Sequence, residues 1–384
     1  MTRQLLTHAT VVLADEVRSN LAVLIEDGNI SALDPDHTEG ATEIDLDGQI
    51  LMPGMIDLHC DALEKEVEPR PGVNFPLDFA CAQADRRNAA AGITTVFHSL
   101  SFANRELGVR NNQVAARIGR ELQAWQRYAL IDNKFHARFE VTDTTAPPIL
   151  SALLDEGVID LISFMDHSPG QGQFRDVESF RQYLANVYKA DDATLDTIMK
   201  QKRDAAQGAM ERMRQLAAQA RARNVSIASH DDDSAAKVVV VVELGAAISE
   251  FPVNLETAQA ARRHGLATLF GAPNVLRGMS QSGNMRALDA VAAGVADCLC
   301  GDYSPGSLLP AVMKLPELAD ISLVHAVALA TRNPARAAGL HDRGEIAVGK
   351  RADLVAVQRI GELPHSHHVW SRGRLALGSS HASC

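Results

Sequence analysis

Aromatic residues make up only 4% of this 384-residue chain, while hydrophobic residues reach 46%. A core built from so few rings must be largely aliphatic, which suits buried α/β packing. Basic residues are also short: 37 Lys and Arg face 48 Asp and Glu, a formal net charge of −11. That balance disfavours nucleic acid or an anionic membrane as partner. An anionic ligand would need metal ions and a local basic cluster. Cysteine is sparse and odd in number, at positions 60, 81, 298, 300 and 384. No paired framework emerges, and a reducing cytoplasm is the expected compartment. Cys298-Leu-Cys300 could pass for a metal motif, but on a buried strand the simpler reading is a pair of small core thiols. Apolar runs stay short of the roughly 18 residues of a membrane span. Arg3, Asp15, Glu16 and Arg18 interrupt any secretory apolar segment at the start.

At this length one large domain, or a large and a small one, can be built. Both ends of the chain read as short strands. Ala9–Leu13, Leu21–Ile25 and Ile30–Leu33 are apolar or alternating, with a hairpin signal at Asp27-Gly28-Asn29. Residues Asp353–Val357 and His368–Trp370 repeat the style. Between them, eight apolar segments alternate with helical stretches: Met55–His59, Thr94–His98, Phe135–Val141, Ile159–Asp166, Val225–His230, Ala247–Phe251, Ala267–Gly271 and Cys298–Asp302. Eight parallel strands with intervening helices close into a (β/α)8 barrel of roughly 250 residues. Asp191–Asn224 reads as an amphipathic helical insertion. The expected architecture is α/β. It has a TIM-like barrel over 53–344 and a small β-sandwich domain from 1–52 plus 345–384.

The most informative stretch is Pro53-Gly-Met-Ile-Asp-Leu-His-Cys-Asp61. His59 and Asp61 are two residues apart, so on an extended strand they share a face. His59, Asp61, His98, Glu140, His167, His230, Glu250 and Asp302 all fall at or near ends of the expected strands, where barrel active sites lie. Their recurrence there is hard to explain as core filler. His59, His167 and His230 offer nitrogen ligands, and Asp61, Glu140 and Asp302 offer carboxylates. This set suits zinc or manganese, with iron possible, and has enough donors for two divalent ions. Two ions could share a hydroxide and offset charge on a phosphoryl oxygen. Glu140 is the natural bridge. Asp302 is the general-base candidate, although it could also cap the segment that follows. Asp231, Asp232 and Asp233 could form a solvated loop or a helix N-terminus, and Asp166 could orient His167. His98 could bind substrate, reach a further ion or cap its strand.

Anion recognition falls to the loops. Lys65 and Arg70 follow the first strand, with Pro69 and Pro71 stiffening the backbone around Arg70. Gly271 to Asn284 follows the seventh and offers Arg277, Ser280 and Asn284 among glycine amides. That is equipment for phosphate oxygens, in a loop position frequently used for them. Ser168-Pro-Gly170-Gln171-Gly-Gln173 adds a third polar loop.

These stretches resemble the amidohydrolase superfamily. The likeness lies in Pro53-Gly54-Met-Ile-Asp57-Leu-His59, Gly92-Ile-Thr94-Thr95-Val96, Asn333-Pro334-Ala335 and Gly344 to Leu354. Within it they are similar to the phosphonate-metabolism PhnM family. The shared blocks are Glu64-Lys65 with Pro69 to Gly72, Met165 to Gln171, Ser229 to Asp232, Glu250-Phe251-Pro252, Gly271 to Asn274, Arg277-Gly278, Ser282 to Asn284 and Asp302-Tyr303. The resemblance spans nearly the whole chain. It implies a metal-dependent diphosphatase cleaving α-D-ribose 1-methylphosphonate 5-triphosphate to the 5-phosphate and pyrophosphate. Metal-activated hydroxide would attack, with Lys65, Arg70 and Arg277 neutralising the triphosphate. It also implies that the partner is a phosphorylated small molecule, with homo-oligomers common in the superfamily. The rival is an amidohydrolase acting on an amide or cyclic imide. The chain departs from the family pattern at Cys60, Ala62, Glu66 and His98, which are expected in substrate-facing loops.

Overall fold

A computed structural model describes residues 3–103, 111–166, 181, 191–280 and 283–378. The N-terminal region folds into β1 (Arg3–Val12), β2 (Val17–Glu26), β3 (Asn29–Leu33), β4 (Thr42–Asp45) and β5 (Ile50–Pro53). The hairpin between β2 and β3 turns at Asp27 and Gly28, with φ of 48° and 88°. Positive φ at both central residues is what a two-residue turn between twisted strands requires. The next eight strands are β6 (Met55–Cys60), β7 (Ile93–Phe102), β8 (Asp132–Glu140), β9 (Leu161–Met165), β10 (Ser226–His230), β11 (Ile248–Glu250), β12 (Ala267–Gly271) and β13 (Cys298–Cys300). The chain then returns through β14 (Leu354–Ile360), β15 (Leu363–Ser371) and β16 (Arg374–Leu377).

Strands β6 to β13 pair in parallel in sequence order. The first and last meet at a Cys60–Asp302 bridge, with Asp302 N–H donating to the His59 carbonyl at 2.9 Å. All eight expected strands are present, within a few residues of the expected bounds. The largest difference is β7, which runs to Phe102, four residues past His98. Ile56, Leu58, Phe97, Leu161, Ala228, Ile248, Leu269, Cys298 and Cys300 form one buried cluster across the barrel strands. Both thiols of the Cys298-Leu-Cys300 pair belong to it, as core filler. Gly301 is required by close approach, since a Cβ there would lie 2.5 Å from Asp57 Oδ2 and 2.7 Å from Pro305 Cα. The expected helical insertion is a pair of helices, Asp192–Ala206 and Ala209–Ala222.

The terminal strands form a separate, mostly antiparallel sheet in which β5 from one end pairs with β14 from the other. Its buried core includes Leu6, Val23, Ile25, Leu51, Leu354 and the fully buried Trp370. Trp370 Nε1 donates to Gln4 Oε1 at 3.2 Å, tying the two ends of the chain together. No helix among the described residues is long and apolar enough to cross a membrane.

Candidate metal centre at the barrel mouth

The C-terminal ends of β6, β8, β10 and β11 converge on one cluster of polar side chains. Pairing of β10 with β11 sets His230 directly opposite Glu250. His59 arrives from β6, where the register shifts between Asp57 and Cys60. Its Nδ1 lies 3.0 Å from Glu250 Oε1, and its ring lies 5.5 Å from that of His230. One ligand atom from each of His59, His230 and Glu250 falls within 4.8 Å of the others. Glu250 is fully buried, and its Oε2 has no hydrogen-bond partner. A buried carboxylate oxygen without a donor is costly unless a cation meets it. The donor set therefore fits a divalent ion with mixed nitrogen and oxygen ligands.

The electrostatics agree. Burial holds His59 well below the usual imidazole range, and the Arg138 guanidinium adds to that. The ring is thus neutral and able to donate a lone pair to a metal. His136 is lowered to about 3, again chiefly by burial. Its Nδ1 lies 2.9 Å from Ser99 Oγ and its Nε2 lies 2.8 Å from Ser163 Oγ. His136 packs edge-on against His59 at 5.3 Å, so it fixes the position of that ring from below. Phe251 also packs edge-on against the ligand rings, 5.0 Å from His59 and 5.2 Å from His230.

Three non-glycine residues just past the strand ends adopt positive φ: Asp231 (51°), Phe251 (53°) and Asp302 (54°). Such geometry costs on the order of 1–3 kcal/mol per residue and concentrates at functional sites. The loops are pinned behind these points. Ser234 Oγ accepts from Lys237 N–H, and Asn254 Oδ1 accepts from Thr257 N–H, capping the following helices. Among the three consecutive acids, Asp232 is fully buried, and its Oδ2 accepts from Ser229 and Ser249, each at 2.5 Å. That anchors β10 to β11. Asp231 instead meets His230, its Oδ2 lying 3.1 Å from Nδ1.

Asp302 sits on the closing side of the mouth. Burial raises its carboxyl to about 7, and the negative charge of Asp61 adds to the rise. Asp57, beneath it, is raised to about 8 by burial, although Gly301 and His59 N–H groups donate to it at 3.0 and 3.1 Å. Asp61 N–H donates to the Asp302 carbonyl at 3.2 Å.

The fold brings His59, Asp61, Glu140, His230 and Asp302 to the strand ends. Glu140 is buried, with its Oε1 accepting from Thr142 Oγ1 at 2.7 Å. His167 and the loop after it, through Gln173, lie outside the described residues. Lys65 and Arg70 are exposed on the segment after β6, and Arg277 is exposed with Nη1 3.3 Å from Tyr303 Oη. Ser280 and Asn284 are half-buried in the loop after β12.

His98 needs correction. It lies inside β7, fully buried, with Nε2 2.9 Å from Asn133 Oδ1, and Asn133 in turn donates to Asp85. The longer β7 moves the strand end beyond it, so His98 belongs to a buried polar chain facing the helix Leu77–Ala90. The other departures from the family pattern are engaged within the protein. Cys60 and Ala62 are buried, and Glu66 pairs with Arg87 at 3.0 Å.

Two site residues were not singled out from sequence. Glu250 was placed at a strand end but given no ligand role. Arg138, two residues before Glu140 and on the same strand face, has Nη2 3.3 Å from His230 Nε2. The alternation His136, Arg138, Glu140 was the available signal for it.

A model of the amidohydrolase family matches residues 50–375. The chain is 36% identical, over 376 residues, to the alpha-D-ribose 1-methylphosphonate 5-triphosphate diphosphatase of Escherichia coli (strain K12), covering 96% of this chain and 99% of that protein. Among solved structures, N-acetyl-D-glucosamine-6-phosphate deacetylase from Mycobacterium smegmatis superposes with a TM-score of 0.65 at 17% identity, covering 97% of this chain and all of that one. Dihydropyrimidinase from Brevibacillus agri NCHU1002 gives 0.58 at 14% identity, covering 99% of this chain and 96% of that one. At such identities the structures speak for the fold alone.

Proposed function

Because the chain belongs to the amidohydrolase family, and within it to the PhnM branch, we propose that this hydrolase cleaves α-D-ribose 1-methylphosphonate 5-triphosphate to the 5-phosphate and pyrophosphate. One observation carries the reading: similarity to a diphosphatase over nearly the whole of both chains, with a buried His–His–Glu cluster and Asp302 together at the barrel mouth.

His59, His230 and Glu250 would hold one divalent ion, zinc or manganese, with iron a third candidate. Asp61, Glu140 and His167 are the donors left for a second. When bound, such an ion acidifies a water and offsets charge on a phosphoryl oxygen. The rest of the chemistry belongs to the chain. Asp302, buried at the mouth beside Asp61, can take a proton from the attacking water and return it to a product oxygen. The buried ring of His136 and the half-buried ring of Phe251 hold the two ligand imidazoles in place, which favours a fixed reacting geometry. Lys65, Arg70 and Arg277 stand on the rim, with Ser280 and Asn284 between the last strands. They would position the phosphate chain and neutralise the leaving pyrophosphate.

The test is pyrophosphate release by metal-reconstituted protein from ribose 1-methylphosphonate 5-triphosphate. Nucleoside triphosphates, N-acyl compounds and cyclic imides are run in parallel. Selective release from the phosphonate triphosphate is expected. Amide or imide hydrolysis without pyrophosphate release would transfer the assignment to the amidohydrolase alternative.

A further inference from the structure

We propose that Arg138 is a substrate-binding residue of the barrel mouth, its guanidinium donating to a phosphate oxygen of the polyphosphate chain beside the metal centre. The proposal rests on the diphosphatase reading and names a deep anion contact within it.

Arg138 lies on β8 between His136 and Glu140. Residues at every second position share one strand face, so its side chain projects inward with theirs. It is 8% exposed. Its Nη2 approaches His230 Nε2 at 3.3 Å, and its Nη1 lies 4.0 Å from Asp61 Oδ2, beyond hydrogen-bond distance. Its Nε has no hydrogen-bond partner. A buried guanidinium carries five N–H donors and cannot lose its charge, so donors left over are costly.

The other buried arginines do not leave them over. Arg343 donates to Thr95 at 3.0 Å, to Asp132 at 2.5 Å and to Asp342. Arg351 pairs with Asp353 and Asp132. If Arg138 served only to offset the nearby carboxylates, a close, two-pronged pair like these would be expected, and the 4.0 Å gap to Asp61 is not one. The planar fork of a guanidinium matches two oxygens of a phosphate. Arg138 is a basic group that lies deep against the His230 ring, whereas Lys237 is engaged with the His230 and Asp231 carbonyls and Lys65, Arg70 and Arg277 are exposed at the rim. A chain of phosphates running from the metal outward would meet Arg138 first and the rim residues after it.

The experiment is calorimetric titration of inorganic tripolyphosphate into metal-loaded protein, comparing wild type with Arg138→Met, Arg138→Gln and Arg138→Lys. Metal content and thermal unfolding are measured on each. The expected result is unchanged metal content and an affinity loss of roughly 10- to 100-fold in the Met and Gln variants, the size of one or two charge-assisted hydrogen bonds. The Lys variant should recover part of the loss by restoring charge without the fork. Wild-type affinity in either neutral variant overturns the proposal. So does an affinity loss that merely follows metal loss, because Arg138 would then be acting through the ligands. If the wild type neither binds tripolyphosphate nor releases pyrophosphate, the diphosphatase reading falls as well, and that outcome is distinct from the first two.

Discussion

At the N-terminal end of the barrel, Asp132 is met by Arg343 at 2.5 Å and Arg351 at 3.3 Å, and Arg351 is itself paired with Asp353. At the C-terminal end, Asp302 lies near Asp61 and Asp231, while Glu250 keeps a buried oxygen with no donor. Both ends bury carboxylates, but with opposite consequences. Burial works against ionisation of Asp132, yet Lys134, Arg343 and Arg351 outweigh it and hold the carboxyl at about 2. At the other end burial prevails, lifting Asp302 to about 7 and Asp57 to about 8. The lower network closes the barrel onto the segment leading to the terminal sheet, and its charges are satisfied internally. The upper cluster is left electrostatically incomplete, which is the condition expected where a cation and a substrate complete it. One fold thus separates charge that stabilises from charge that waits for a ligand.

The largest effect should follow from Asp302→Asn. Removal of a general base is expected to lower turnover by about 100- to 10,000-fold with metal content retained. Pyrophosphate release and metal analysis on the same preparation check this. Near-normal turnover would remove Asp302 from the mechanism. The matching break at the other end is Arg343→Met, which leaves Asp132 and Asp342 short of a partner. It should cost about 3–5 kcal/mol of stability, the usual effect of breaking a buried ion pair from one side. Turnover per folded molecule should stay unchanged. Denaturant unfolding that shows less than about 1 kcal/mol of loss would end the contrast between the two regions.

The upper half of this contrast was within reach of the sequence, the lower half was not, and the limits are specific. The eight barrel strands stand out because each is a short, bounded apolar run, and the polar residues at their ends are conspicuous against that background. Glu250 was seen as a strand-end residue, but a ligand role depends on the register that sets it opposite His230. Register across neighbouring strands leaves no local trace in Ile-Ser-Glu. His98 was misplaced because β7 continues through Ser-Leu-Ser-Phe, where serines masked a strand that is buried throughout. Ser99 is explained by the barrel interior, where it meets His136. The lower network was invisible because Asp132, Arg343 and Arg351 are more than two hundred residues apart in the case of the aspartate and each arginine.

A pH series on the metal-free protein should separate the two regions by sign. The folded pKa of Asp132 is depressed, so its contribution is present above about pH 4 and is lost as pH falls toward 2. Asp302 and Asp57 are raised, so the unfolded chain gives up their protons first. Stability should therefore decline as pH rises from about 4 through 7 to 8. The acid limb is roughly 2 kcal/mol, and the declining limb is larger because two carboxyls shift further. In Asp302→Asn the declining limb should shrink while the acid limb persists. Loss of the acid limb in that variant would show that the two ends are not independent.

The smallest effects belong to the rim. Arg70 is exposed, so its contact with a phosphate competes with water and salt. Arg70→Ala should raise KM for the triphosphate by no more than about tenfold at physiological ionic strength, with kcat little changed, and the effect should fade in high salt. Arg277→Ala should cost somewhat more, because Tyr303 Oη lies 3.3 Å from its guanidinium and limits the freedom it must lose on binding. Steady-state kinetics at two salt concentrations rank the pair. A large kcat loss in Arg70→Ala, insensitive to salt, would place that residue at the reacting phosphate and not on the rim, and would redraw the boundary between the solvated and the buried halves of the site.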